Sequence, residues 1–384
     1  MSNNDASPPP NPLRSGGGRG KCASIEARVS GVEQDAGADR CVCPAQSRVI
    51  ESYYQQEIAP FLPRAVLDFH THTYTSENWK EKPWNTDKSG GRYMVIDEFY
   101  PPEQLLGDGR ACFPDRKFEA VCFGMPTPAV DWEKDTAYVA DAARTHLELW
   151  PLLLAGPALG VSRERYEQVL DADGFRGFKV FLNWYGDDYG DLRVQDMLGP
   201  TERVLANERN LVILLHVPRS GRLADREIAD GVRWLSGECP EARIVLAHCG
   251  RCYLPGEMKS AIGCLRDLPN VWMDTAMVMD PTVIQIAMNE IGAGRLVFGT
   301  DFPVAAMRGR RVRVWDHWVD VVGPGYPSSA YRVAGEGYRT GFMAWEIVLA
   351  IRWAAELTGI SDDERDSIFY RNGMRLLTSG SITK

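Results

Sequence analysis

The chain has 384 residues, 44% of them hydrophobic and 25% charged, with a net charge of -9 and a pI near 5.3. That length buries one large core or two smaller ones, and the acidic balance argues against a nucleic-acid partner. No window reaches the ~18 to 20 consecutive apolar residues of a membrane span, and the N-terminus has no apolar segment of the secretory type. Nine scattered cysteines, an odd number, fit reduced thiols in a cytoplasmic protein better than a disulfide framework.

Residues 1–48 are rich in Pro, Gly and Ser, as in Ser7-Pro8-Pro9-Pro10 and Ser15-Gly16-Gly17-Gly18-Arg19-Gly20. Such a segment buries too little to offset its ordering entropy and reads as a disordered arm ahead of one domain over 49–384. The glycine cluster lacks the strand and the Lys-Ser or Lys-Thr of a phosphate loop. Cys41-Val42-Cys43 has no partner ligands in the tail and is taken as incidental. A helix is expected from Ala45 to Ile58, ended by Pro60 and Pro63.

The next run, Ala65-Val66-Leu67-Asp68-Phe69-His70-Thr71-His72-Thr73, reads as a buried strand broken only by Asp68. Histidines at i and i+2 share one face of a strand, and at its end both imidazoles reach one point. A divalent metal ion is the usual occupant of such a point. From Tyr74 to about Pro114 a polar and aromatic stretch follows, with Trp79, Lys80, Lys82 and Trp84. It is too long for an ordinary connection and reads as a lid or substrate wall, with a structural insertion as the alternative.

A regular alternation then sets in. Apolar strand-like runs lie at 119–124, 149–155, 175–181, 211–216, 244–248, 270–275 and 295–301, separated by helical patterns at 136–145, 164–170, 194–208, 224–235, 257–267 and 282–291. Eight unbroken apolar strands between helices predict a parallel sheet covered on both faces, closed as a (β/α)8 TIM barrel in the α/β class. No Gly-x-Gly-x-x-Gly follows strand 1, which disfavours an open doubly wound sheet. A second long loop runs from Phe302 to about Thr340. An apolar helix over 342–357 is closed by Gly359, and Ser361 with Glu364 forms a capping box for the last helix.

Catalytic groups of such a barrel sit at the carboxyl ends of its strands, all on one face. His70 and His72 end strand 1, Lys179 lies near the end of strand 4, His216 ends strand 5, His248 ends strand 6 and Asp301 ends strand 8. Only His146 and His317 of the six histidines fall elsewhere. Histidine nitrogens and one carboxylate are the usual ligands of a catalytic zinc or similar ion, which lowers the pKa of bound water toward ~7. Asp301 suits both ligation and removal of the water's proton, and a histidine off the metal polarises a carbonyl or shuttles a proton.

Four signatures recur in order: Asp68-Phe69-His70-Thr71-His72, Leu215-His216, Ala247-His248-Cys249-Gly250 and Phe298-Gly299-Thr300-Asp301-Phe302-Pro303. Together they resemble the amidohydrolase superfamily, within it the amidohydrolase 2 branch of aminocarboxymuconate-semialdehyde decarboxylase and pyrone-dicarboxylate lactonase. The closing Phe369-Tyr370-Arg371-Asn372-Gly373-Met374-Arg375-Leu376-Leu377 resembles that branch's end, so the likeness spans residues 66–378. The resemblance implies that His70, His72, His216 and Asp301 hold one divalent ion, most often zinc, with manganese as a variant, and that His248 is the acid/base or carbonyl polariser. In other branches a strand-4 lysine is carboxylated and bridges two metals; Lys179 holds that position, although this branch usually needs one metal. His70-Thr71-His72-Thr73 also resembles the start of the polymerase-and-histidinol-phosphatase family, but strands 2 and 3 lack its further ligands.

The function expected is metal-dependent hydrolysis of a C–O or C–N bond in a small anionic organic molecule. A non-oxidative decarboxylase on the same site is the first alternative and a non-catalytic binding barrel the second; an intact ligand set weighs against the latter. Trp184 in Asn183-Trp184-Tyr185, Arg219 with Arg222, and Arg251 lie on loops of the active face and are candidate substrate contacts, since guanidinium forks suit carboxylates and phosphates. Cys249 and Cys252 have redox-pair spacing without a redox-fold setting. The partner is a small-molecule substrate, with neither nucleic acid nor membrane; assembly as a homo-oligomer is left open.

Overall fold

Val66, Leu67 and Phe69 are at most 2% exposed, and the strand that carries them, β1 (Ala65–His72), is buried from its second residue onward. The computed structural model that places them describes residues 51–80, 99–126, 129–182, 190–322, 331–332 and 341–378. The arm expected over 1–48, Cys41-Val42-Cys43, Lys82, Trp84 and Asn183-Trp184-Tyr185 lie outside the described residues.

Seven more short strands follow: β2 (Lys117–Phe123), β3 (Leu149–Pro151 and Leu153–Leu154), β4 (Gly177–Val180), β5 (Val212–Leu215), β6 (Arg243–Leu246), β7 (Val271–Asp274) and β8 (Leu296–Val297). Each pairs in parallel with its neighbour in sequence. β3 is interrupted at Leu152: its first half pairs with β2 and its second half with β4. The ring closes between β8 and β1, where Phe69 N donates to Phe298 O, Asp301 N to His70 O and His72 N to Phe302 O, each at 2.8 Å. The (β/α)8 barrel expected from the alternation is therefore formed, with some distortion at β3.

A helix follows each strand: α1 (Pro102–Cys112), α2 (Trp132–Thr145), α3 (Arg163–Ala172), α4 (Pro200–Glu208), α5 (Arg226–Glu238), α6 (Pro255–Ala261), α7 (Pro281–Ile291) and α8 (Met343–Thr358). Asp131, Ser162, Asp225 and Asp280 cap α2, α3, α5 and α7 by accepting from backbone amides of the first turn. The Ser361–Glu364 capping box is present. Asn372 fastens the C-terminal segment to the barrel floor, donating from Nδ2 to Ala293 O and Leu296 O.

Four elements differ from the sequence reading. α1 falls inside the stretch read as a lid, because Gly107 and Gly109 weaken its helical pattern. The helix expected over 194–208 is split into Val194–Met197 and α4, since Pro200 starts a helix and cannot continue one. The one expected over 257–267 stops at Ala261 and passes into a tighter turn, Ile262–Leu265. The long loop after β8 contains an antiparallel hairpin, β9 (Gly309–Val314) and β10 (His317–Val322). Among the described residues no helix is long and apolar enough to cross a membrane.

Candidate metal centre

The carboxyl ends of parallel barrel strands open on one face, so residues far apart in the chain meet there. Asp68 locks the seam between β1 and β8: it accepts from Thr300 N at 2.9 Å, Thr300 Oγ1 at 2.5 Å and His70 N at 3.1 Å. Gly299 lets the two strands approach, since a Cβ there would lie 3.1 Å from the His70 Cβ. His70 and His72 then face the lumen together, as their i, i+2 spacing requires. Both meet Asp301: His72 Nε2 lies 3.2 Å and His70 Nε2 3.5 Å from its Oδ1. All three are buried, and their ligand atoms lie within 4.8 Å of one another, close enough to hold a metal ion.

Each of three histidines has an acceptor beside Nδ1. His70 Nδ1 lies 2.8 Å from Asp274 Oδ2, His72 Nδ1 3.3 Å from Gly124 O, and His248 Nδ1 3.0 Å from Ala276 O. An acceptor at Nδ1 holds the proton there and leaves Nε2 as the lone-pair nitrogen. His248 sits two residues beyond β6, in a turn whose residues 248–251 all have positive φ, from 50° to 67°. Its ring centroid is 4.7 Å from that of His70 and 5.0 Å from that of His216. His216 stacks 4.4 Å from Phe181, and its Nδ1 is buried with no hydrogen-bond partner among the described residues.

The sequence profile of the amidohydrolase family matches residues 67–378. The chain belongs to this amidohydrolase family. No curated protein matches the sequence. An amidohydrolase from Burkholderia multivorans has the same fold: its Hepes-bound crystal form shares 16% identity at a TM-score of 0.55, and its zinc-bound form 16% at 0.54, each over 82% of this chain and 99% of that one. A 2,6-dihydroxybenzoate decarboxylase with its substrate bound is similar at 13% identity and a TM-score of 0.50, over 82% of this chain and 99% of that one. The His/Asp cluster is thus the metal-coordinating active-site cluster of an amidohydrolase, suited to metal-activated hydrolysis or decarboxylation of a small organic substrate.

Electrostatics suit ligation. Burial pushes His70 and His216 well below the ordinary imidazole range, and burial with the neighbouring His70 brings His248 down to about 3, so their lone pairs are free near neutrality. Burial alone would raise the Asp301 carboxyl, but the His72 hydrogen bond and the charges of His70 and His248 outweigh it and hold it below the usual carboxylate range. The unprotonated donor set and the orphaned nitrogen of His216 fit a divalent cation.

Not every predicted residue joins the cluster. Lys179 is fully buried, with Nζ 3.0 Å from His70 Nε2 and 4.4 Å from the Phe123 ring centroid; burial pushes its amine down to about 8. His216 is adjacent to the cluster but outside the His70–His72–Asp301 triple. Arg219 donates to Leu192 O and Asp191 O, and Arg251 to Val217 O and Arg219 O. Both guanidinium groups therefore bind loop carbonyls. His146 and His317 lie outside the site, beside Glu103 and Asp316.

Sequence reasoning missed Asp274 and the wall beside His248. The Tyr253 ring lies 6.2 Å from His248, with the Arg311 guanidinium 4.6 Å above it, and Arg311 also stacks 3.9 Å from Trp318 on the β9–β10 hairpin. Arg311 is paired with Asp320 at 2.8 Å, both nearly buried.

Proposed function

We propose that this amidohydrolase is a hydrolase of one divalent ion, zinc, that cleaves a C–O or C–N bond of a small anionic organic substrate. The observation that carries the reading is the convergence of His70, His72 and Asp301 from opposite ends of the sequence, with the histidine protons held at Nδ1. In this reading His70, His72 and Asp301 would hold the ion, and His216, whose Nδ1 has no hydrogen-bond partner among the described residues, would complete the set. The ion, when bound, supplies Lewis acidity and lowers the pKa of a coordinated water. Asp301 places Oδ1 beside the two histidines, and its Oδ2 would be the carboxylate oxygen left to accept a proton when the ion is bound. His248 stands beside His70 with Nε2 as its lone-pair nitrogen; it receives that proton and delivers it to the leaving group. Lys179, neutralised in part by burial, stays an amine beside His70. A shared His70 argues against two separate ions, because the second close triple, His70–His248–Asp274, has that residue in common with the first.

The chain is proposed to form one catalytic domain over 49–384 behind an N-terminal arm and to work in the cytoplasm. Cys112, Cys122, Cys239, Cys249, Cys252 and Cys264 are all free, which suits a reducing compartment.

Decarboxylation is the second reading, since the same His248 nitrogen serves to protonate a substrate carbon. The test is turnover of carboxylated lactones, amides and hydroxybenzoates by zinc-loaded protein in 18O-labelled water. Hydrolysis puts 18O into the organic product without releasing carbon dioxide; carbon dioxide released with no 18O in the organic product replaces hydrolysis by decarboxylation. His248→Gln is expected to keep its metal and lose ~10²-fold or more in kcat, the scale of one lost acid–base group. Loss of metal from that variant would make His248 a ligand.

A further inference from the structure

We infer that Asp274, at the end of β7, is a positioning residue that fixes the tautomer of His70 and the turn that presents His248; this rests on the proposed use of His70 Nε2 as a metal ligand. Asp274 is fully buried. Its Oδ1 accepts from the backbone amides of His248 at 2.6 Å and of Ala276 at 3.0 Å, and its Oδ2 lies 2.8 Å from His70 Nδ1. Backbone amides donate in every state, so Oδ1 is committed as an acceptor. The remaining oxygen holds the His70 proton on Nδ1. Nε2 is then presented to the cluster, where Asp301 Oδ1 stands at 3.5 Å.

One carboxylate therefore ties together the ring of one site histidine and the backbone of the other. Outer carboxylates of this kind orient ligating histidines and raise their basicity. Asp274, His70 and His248 are also close enough to hold an ion themselves. Both Asp274 oxygens are already engaged, however, so it orients the histidines and does not ligate. It touches no reacting atom.

Asp274→Asn isolates this role. The asparagine Oδ1 keeps the two backbone amides, so Nδ2 replaces Oδ2 and presents an N–H to His70 Nδ1. That contact favours only the other tautomer, with the proton on Nε2. The full-length protein, labelled with 15N-histidine and stripped of metal, is examined by long-range 1H–15N spectroscopy at a single pH. His70→Gln assigns the signal. The expected result is the Nδ1–H form in the wild type and the Nε2–H form in Asp274→Asn, with zinc affinity in the variant ~10- to 100-fold weaker in a chelator competition. An unchanged His70 tautomer with zinc affinity within about twofold of wild type would overturn the inference while leaving the metal reading intact. A tautomer switch in a protein that takes no zinc in either form would support positioning and overturn the metal reading. If the variant does not fold, the wild-type spectrum decides alone: an Nε2–H His70 overturns the inference.

Discussion

Asp135 is a carboxyl whose charged form the fold does not accommodate. It lies in the first turn of α2, fully buried, with Oδ1 lacking a hydrogen bond among the described residues. Burial pushes its carboxyl up to about 8 from an ordinary value of 3.8. The folded state thus holds a proton that the unfolded chain releases near pH 4. Its stabilising contribution is complete below the ordinary carboxylate range and is lost as pH rises through about 8. Thermal stability is expected to fall from about pH 4 to about pH 8 in the wild type, and Asp135→Asn to flatten that slope. Parallel melting curves for the two proteins would contradict this. The effect matters to the site because Asp135 presses on Gly124, whose carbonyl faces His72 Nδ1.

The same residues show what a sequence can reveal. His70, His72, His216 and His248 each follow an apolar run, and six histidines are few enough for such placement to stand out. Asp274 has no comparable mark. An aspartate after Val271-Trp272-Met273 looks like any strand-ending turn residue, and only the fold brings it under His70, 204 positions away. Arg219 and Arg251 show the converse: the sequence places a guanidinium on an active-face loop, but not which carbonyls take up its donors.

The turn after β6 concentrates the strain of the active face. His248, Cys249 and Arg251 all lie in the left-handed region, which costs on the order of 1 kcal/mol or more per residue without glycine. The bond from His248 N to the Asp274 carboxylate returns roughly 1.5–3 kcal/mol and so offsets about half of it. Gly250, at φ 67°, is the one residue of the turn free of that cost, and a Cβ there would lie 2.8 Å from Leu223. Gly250→Ala is expected to destabilise by about 1–3 kcal/mol and to lower kcat with metal content unchanged. Wild-type stability and kcat in that variant would show that the turn tolerates a side chain.

Elements of strong periodicity were readable in advance, whereas α1 and the β9–β10 hairpin were not. Gly107 and Gly109 dilute the helical signal of α1. In β9 the arginines at 310, 311 and 313 hide a strand pattern, because Arg311 is buried against Tyr253 and Trp318 instead of facing water. A buried cation with its own carboxylate cannot be told from a solvated one without the partner strand in view.

For the molecule as a whole, closure of the ring is what makes a site. His72 and Asp301 are 229 positions apart, and they meet because β8 hydrogen-bonds to β1. The number of strands and their alternation implied that closure, and with it the face on which the histidines would gather. The ligand geometry was not implied: His70, His72 and Asp301 form one close triple, His216 stands beside it, and Lys179 Nζ lies 3.0 Å from His70 Nε2.

The metal-to-protein ratio of gently purified full-length protein, measured by elemental mass spectrometry, bears on all of this most directly. A single site predicts a ratio near ~1, chiefly zinc, falling toward zero in Asp301→Ala. A ratio near ~2 would contradict the single site and bring in Lys179 as a carboxylated bridge. A ratio near zero that added zinc or manganese cannot raise would contradict the proposed chemistry altogether and leave a barrel that only binds.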